Sequence, residues 1–303
     1  MTIEVEACFV YPLKAAAALE VESLRITALG PQYDRRWLLV RDEPDRRGVF
    51  ITQRDQDCEK LALIKALPTD DDGIRFDTPA GDSLQVDKEA LAECDGAASV
   101  WDEPCRVLDA GEAAARWFSD FLGMPCRLVK MDERFPRPTD PAYSQPGDQV
   151  SFADSMPLLV TNRASLDALN ARLGDKAVGM DRFRPNLVLR GAEAFEEDVL
   201  HELRIGDAVI ELVLPCARCK VPTIDQTTGR VLSKEPVATL IATRRGASDD
   251  LKGIFFGQNA LPRVLGSIRR GDRVEILSTR PMHPALKDVS LRFAGSEVND
   301  VLA

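Results

Sequence analysis

AVIELVLPCARCKVPTID, residues 208–225, is the stretch on which the reading of the fold turns. Ala208 to Leu214 is an apolar run with β-branched members, which reads as a buried strand. It ends on Pro215 and runs straight into Cys216-Ala217-Arg218-Cys219. A thioredoxin-type pair would set its first cysteine at a helix N-terminus, but Lys220 to Asp225 has strand and turn character. A strand followed by more strand, rather than by a helix, points away from an alternating α/β chain.

The rest of the chain reads the same way. Before residue 100, strands are expected at Glu6–Leu13, Trp37–Val40, Val49–Gln53, Leu61–Ala66, Ile74–Phe76 and Leu84–Val86. A helix is expected over Glu112–Leu122, where Ala114, Trp117, Phe118, Phe121 and Leu122 share one face and Gly123 supplies the stop. Strand Cys126–Met131 follows, then a proline-crowded stretch (Pro136, Pro138, Pro141, Pro146). Beyond it come strand Met156–Val160, a helix carrying Leu166, Leu169 and Leu173 up to Gly174, and strand Asn186–Arg190. A hairpin is expected at Gln226–Gly229, and a closing strand at Arg273–Leu277 after the Gly271-Asp272 turn. The fold class is mainly β with peripheral helices, in two units: an N-terminal β-rich domain over 1–120 and a β-barrel domain over 121–278, with a tail over 279–303.

Length and charge narrow the function. The 303 residues carry 39 Lys+Arg against 49 Asp+Glu, a net charge of −10, so nucleic acid is not expected as a partner. No apolar run approaches the ~20 residues of a membrane span, and the N-terminus lacks the basic flank of a signal peptide, so neither membrane nor export is expected and the cytoplasm is. Seven scattered cysteines suit reduced thiols. The two histidines, His201 and His283, stand too far apart in sequence for a His-x-x-x-His zinc motif.

The cysteine pair by itself admits half a zinc site, a redox dithiol, one metal-binding thiolate with a bystander, or two small buried hydrophobes. No second pair or nearby histidine completes a zinc site. Arg218 beside the thiols, with the clusters Asp34-Arg35-Arg36-Trp37 and Asp181-Arg182-Phe183-Arg184-Pro185-Asn186, supplies cations. One thiolate with convergent arginines suits a soft metal on an anionic, phosphate-bearing cofactor.

At this point the chain resembles the two-domain MOSC proteins, which include the mitochondrial amidoxime-reducing component and its bacterial relatives. The resemblance is carried by Tyr11-Pro12-Leu13-Lys14, Asp34-Arg35-Arg36-Trp37, Ser151-Phe152-Ala153-Asp154, Phe183-Arg184-Pro185-Asn186 and Cys216-Ala217-Arg218-Cys219 with Asp225 and Gly229. Phe255-Phe256-Gly257-Gln258 and Gly271-Asp272-Arg273-Val274 complete it. It implies a molybdenum cofactor whose metal is held by a pterin dithiolene and by Cys219, with Cys216 as bystander. Lys14, Arg35, Arg184, Asn186 and Arg218 match positions that hold the pterin and its phosphate. Thr161 and Asn162 fall at the family's cofactor-contacting strand end. Asn259 is also placed at the cofactor, where the amidoxime reducers carry an aromatic residue; Ala15 and Ala217 are further departures. Asp225 is read either as a proton relay or as a turn former. The implied function is reduction of N-hydroxylated small molecules. No cysteine follows Cys219, so no iron-sulfur cluster is expected in the tail, and electrons must come from a flavin reductase, a cytochrome b5-like protein or a ferredoxin. The alternatives are a non-catalytic carrier of the cofactor or of a persulfide, and a β-barrel scaffold with structural cysteines.

Overall fold

The structure is a computed structural model, and it describes residues 2–94, 98–101 and 103–286. In chain order the elements that build the site are β1 (Glu4–Val10), β2 (Leu19–Val21), β3 (Trp37–Arg41), β4 (Val107–Asp109), α1 (Gly111–Leu122), β5 (Cys126–Met131), β6 (Leu158–Asn162) and α2 (Arg163–Leu173). They continue with β7 (Leu187–Arg190), β8 (Leu200–Ile205), β9 (Ala208–Ala217), α3 (Val237–Thr243), β10 (Lys252–Val264) and β11 (Val274–Thr279). The mainly β class with peripheral helices is what the sequence led us to expect.

The large sheet runs β2-β1-β7-β6-β10-β9-β8-β11. Its pairs are antiparallel except β6–β7, where Val160 lies opposite Leu187. The first strand of the chain therefore belongs to the sheet made by the second half, with Val5 opposite Leu189. Alternate residues point into one core that includes Val5, Val10, Leu158, Val160, Leu187, Leu203, Leu212 and Ala260. A smaller sheet, β3-β5-β4, packs with α1 around Leu13, Trp37, Leu39, Phe76, Phe118 and Leu128. Gly123 ends α1 at φ 73°, where its N–H reaches the Ser119 carbonyl.

Several expectations need correction. Among the described residues the large sheet does not close into a continuous barrel; its margins meet through one isolated bridge, Glu4 to Arg273, backed by Val5 N–H to the Asp272 carbonyl at 2.9 Å. Val49–Gln53 forms no strand, only isolated bridges at Val49 and Phe50. The Leu61 segment begins as a 3-10 turn over Glu59–Leu63 before strand Lys65–Pro68. Of the expected tail, residues 287–303 lie outside the described residues.

Beside β10 sits a buried charge network. Arg244 and Asp198 are both fully buried and paired at 2.8 Å, and the other Asp198 oxygen accepts from Gln258 Nε2 at 2.8 Å. Next to it, burial and then the charge of Asp198 push the Glu197 carboxyl up to about 7. The folded chain thus keeps a proton that the unfolded chain releases above about pH 4.3. This part of the stability must fall as pH rises from about 4.5 to 7 and stay level beyond. Glu197→Gln is expected to remove that slope, as read by comparing melting temperatures at pH 5 and pH 8 in both proteins. An unchanged slope would contradict it.

Candidate functional site

β9 enters its final turn through two irregularities in its ladder with β10, between Leu212 and Leu214 and between Pro215 and Ala217. Bulges of this kind turn a strand's side chains out of the regular alternation. Here they lead Cys216, Arg218 and Cys219 onto an open cleft of about 260 Å³. The facing wall comes from the N-terminal half. Tyr11–Lys14 and Asp34–Trp37 are stitched together by Arg35 N–H to the Tyr11 carbonyl (2.8 Å), Trp37 N–H to Pro12 (3.0 Å) and Lys14 N–H to Trp37 (2.9 Å).

Seven of the expected residues line this cleft: Lys14, Arg35, Arg184, Asn186, Arg218, Cys219 and Asn259. Asp34 is the buried hub that orders them. One of its oxygens takes the Tyr11 N–H (2.9 Å) and the Asn186 amide (3.0 Å), and the other takes Arg35 at 2.5 Å. The guanidiniums of Arg35 and Arg184 both lie over the Tyr11 ring, at 4.4 and 4.3 Å. Burial draws Arg184 down to about 10, which still leaves it charged at neutral pH. Arg184 sits at φ 56° and donates to the Ala16 carbonyl at 2.7 Å.

Lys14 donates to the Phe152 carbonyl at 2.6 Å and pairs with Asp154. Desolvation draws the Lys14 ammonium below its ordinary value. Desolvation also works to raise Asp154, but Lys14, with Arg54 and Arg35, holds that carboxyl at about 2. Arg218 gives one arm to the Phe183 carbonyl (2.7 Å) and the other to the Cys216 sulfur (2.9 Å). Among the described residues its buried Nε has no partner, and no hydrogen bond reaches the Cys219 sulfur.

Three expected residues stand elsewhere. Thr161 is buried and donates to the Leu187 carbonyl at 3.4 Å. Asn162 caps α2, accepting from the Ala164 N–H at 3.2 Å and donating to the Glu193 carbonyl at 2.6 Å. Neither lines the cleft, and both side chains make these structural hydrogen bonds. Asp225 also lies outside the cleft lining, in the turn-forming position that was its other reading. One oxygen accepts from the backbone and hydroxyls of Thr227 and Thr228, and the other pairs with Arg182 at 2.7 Å. The Thr227 hydroxyl, first among these donors, helps hold its carboxyl at about 2.

The cleft also contains Thr52, Gln53, Arg54, Asp154, Ser155 and Met156, to which the sequence reading assigned no role. Its charged lining is Lys14, Arg35, Arg54, Arg184 and Arg218 against one carboxylate, Asp154, in a chain of net charge −10. Such a lining favours an anion. Among the described residues no three His, Cys, Asp or Glu side chains gather to hold a metal. A metal bound here must bring most of its own ligands, which a dithiolene-bearing pterin does. The phosphate would meet the cations, and the unpartnered Arg218 Nε offers one more donor.

Residues 2–125 match the MOSC N-terminal beta barrel domain and residues 147–275 match the MOSC domain. The chain is 34% identical over 288 residues to mitochondrial amidoxime-reducing component 1 of Mus musculus, covering 89% of this chain and 81% of that one. It is 32% identical over 289 residues to the Homo sapiens protein of the same name, with the same coverage. Among solved structures, YiiM from Geobacillus stearothermophilus is similar at 14% identity and a TM-score of 0.30, over 46% of this chain and 60% of that one. The relatives are mitochondrial by name, which overturns the expectation of a cytoplasmic protein. Among the described residues no helix is long and apolar enough to cross a membrane.

Proposed function

The chain belongs to the two-domain MOSC family, that of the amidoxime-reducing components, and from that premise we propose that it is a molybdenum-cofactor-dependent reductase of N-hydroxylated compounds with Cys219 as the metal's protein ligand. At family level the role is molybdenum-cofactor-associated and N-reductive. The observation that carries the reading for this chain is the meeting of Cys219 with five cations, drawn from both halves of the chain, in one cleft with a single carboxylate.

When bound, the cofactor supplies oxygen-atom transfer, so that R–NH–OH, two electrons and two protons give R–NH₂ and water. The chain's own residues bind and orient. Arg35 and Arg184, fixed on Tyr11, with Lys14 and Arg218 would hold the cofactor's phosphate, while the buried Asn186 amide, spent on Asp34, Phe9 and Leu159, keeps this wall in place. Met156, Leu159, Leu214 and Leu251 form the apolar lining that takes the body of the substrate and excludes water. Asn259, which lines the same cleft, would offer its amide to the N–OH group of the substrate. Electrons come from a separate flavin, haem or iron-sulfur protein.

Holo protein supplied with reduced viologen is expected to convert benzamidoxime to benzamidine, and Cys219→Ala is expected not to. Molybdenum-loaded protein that turns over no N-hydroxylated compound, yet passes pterin or sulfur to a second apoenzyme, would overturn the reductase in favour of the carrier.

A further inference from the structure

The segment that follows Cys219 carries a charge balance opposite to that of the whole chain. Residues 220–247 hold five cations, Lys220, Arg230, Lys234, Arg244 and Arg245, against two carboxylates, Asp225 and Glu235, in a chain of net charge −10. Arg244 is buried on Asp198, and Asp225 is tied to Arg182. Lys220, Arg230, Lys234 and Arg245 are exposed, and among the described residues none of them makes an ion pair.

Beside them opens a groove lined by Thr223, Val231, Leu232, Val237 and Ile241 together with Lys234. Val231, Leu232 and Ile241 are 53%, 67% and 46% exposed, a cluster of large apolar side chains left to solvent. One short segment links the groove to the cleft, with Cys219 and Val221 on the cleft and Thr223 on the groove. Lys220 leads into the turn Val221–Thr223, and Arg182 braces that turn through the Pro222 carbonyl at 3.2 Å and Asp225 at 2.7 Å. Thr223 on the groove and Cys219 in the cleft are four residues apart.

We propose that this groove is the docking surface for an acidic electron-donor protein. The inference rests on the reductase reading, whose stoichiometry requires two electrons from outside the chain. An apolar centre bordered by unpaired cations suits a transient redox partner: the apolar area is small enough to release it, and the cations steer an acidic surface to the metal end of the cleft. A protein of net charge −10 repels an acidic donor on average, and a local patch of unpaired cations gives it a place to dock.

The test compares wild type with the triple variant Lys220→Glu, Arg230→Glu, Lys234→Glu and with Leu232→Asp. Benzamidoxime reduction is driven by reduced acidic cytochrome b5, by a reduced acidic [2Fe–2S] ferredoxin, and by viologen. With whichever protein donates, KM for the donor is expected to rise at least about tenfold at low ionic strength and to converge with wild type as salt is added. The viologen-driven rate stays within about twofold, because none of these side chains lines the cleft. A milder triple change to glutamine moves KM in the same direction and serves if charge reversal harms folding. An unchanged KM overturns the groove, as does a wild type that viologen drives but neither acidic protein reduces. Loss of binding to phosphatidylserine vesicles in the triple variant, with donor KM unchanged, overturns it in favour of a membrane surface. A wild type inactive with viologen as well is the separate failure of the reductase reading, and takes this inference with it.

Discussion

Cys219→Ser protein, purified from a molybdenum-replete host, is expected to carry only background molybdenum, whereas Cys216→Ala keeps the metal. The two sulfurs differ in their surroundings. The Cys216 sulfur is held by Arg218 at 2.9 Å, while among the described residues nothing bonds to that of Cys219. Loss of a ligand's supporting hydrogen bond typically costs about 10–100-fold in metal affinity, and loss of the only protein thiolate costs more. Arg218→Ala is milder: its arms hold the Phe183 carbonyl and the Cys216 sulfur and not the ligand, so it removes one cleft cation, leaves the Cys219 sulfur, and the metal is retained less tightly. Elemental analysis of these three variants beside the wild type decides the matter. Full metal in Cys219→Ser, or zinc in place of molybdenum, would remove the thiolate assignment and the reductase reading built on it.

Local pattern was enough for the elements that make their own contacts. Strand Cys126–Met131 and helix Gly111–Leu122 stand where alternation and 3.6-residue spacing put them, because each buries one face on the core beside it. The longest strand, Lys252–Val264, was missed, although its Phe255-Phe256-Gly257-Gln258 had been singled out. Gly253, Gly257 and Pro262 break the alternation, and at Gly257 the reason is tertiary. Gly257 has φ 79°, and a Cβ there would come within 2.8 Å of the Val160 carbonyl on the neighbouring strand. Strand Leu200–Ile205 escaped as well; its partners Ala208–Ala217 and Val274–Thr279 settle it, and the latter is distant in sequence.

The candidate site divides along the same line. Charged side chains in a recognised order marked Lys14, Arg35, Arg184 and Arg218, which the fold brings to one cleft. Direction was not legible for polar residues on a buried strand end. Thr161 and Asn162 are adjacent, and neither lines the cleft; their side chains bond the Leu187 and Glu193 carbonyls instead. For Asn162 a local signal existed: an asparagine just before a helix with apolar Leu166 and Leu169 is an N-cap signature. Gln53 and Arg54 carried no such signal. They reach the cleft because a loop, not a strand, follows Val49, and no periodicity describes a loop.

Arg244→Ala should cost more stability than any exposed substitution, about 3–5 kcal/mol, because it strands a buried carboxylate. Arg244 and Asp198 are both fully buried, 2.8 Å apart, and the guanidinium lies 4.2 Å over the Phe195 ring and donates to the Phe255 carbonyl at 3.3 Å. Removing it leaves Asp198 with Gln258 and only the more distant charge of Arg280, which bonds the other end of the Gln258 amide. At roughly 2–4 °C per kcal/mol for chains of a few hundred residues, the melting temperature falls by on the order of 10 °C. Asp198→Asn with Arg244→Met removes both charges and should recover much of that loss, since replacing a buried pair is far cheaper than breaking it. The consequence reaches the metal end, because Gln258 pairs across the sheet with Pro215, the residue before Cys216. Arg244→Ala is therefore expected to lower molybdenum retention together with stability, and the double variant to restore both. Equal destabilisation in the single and double variants would show that packing around Phe195, and not the stranded charge, sets the cost.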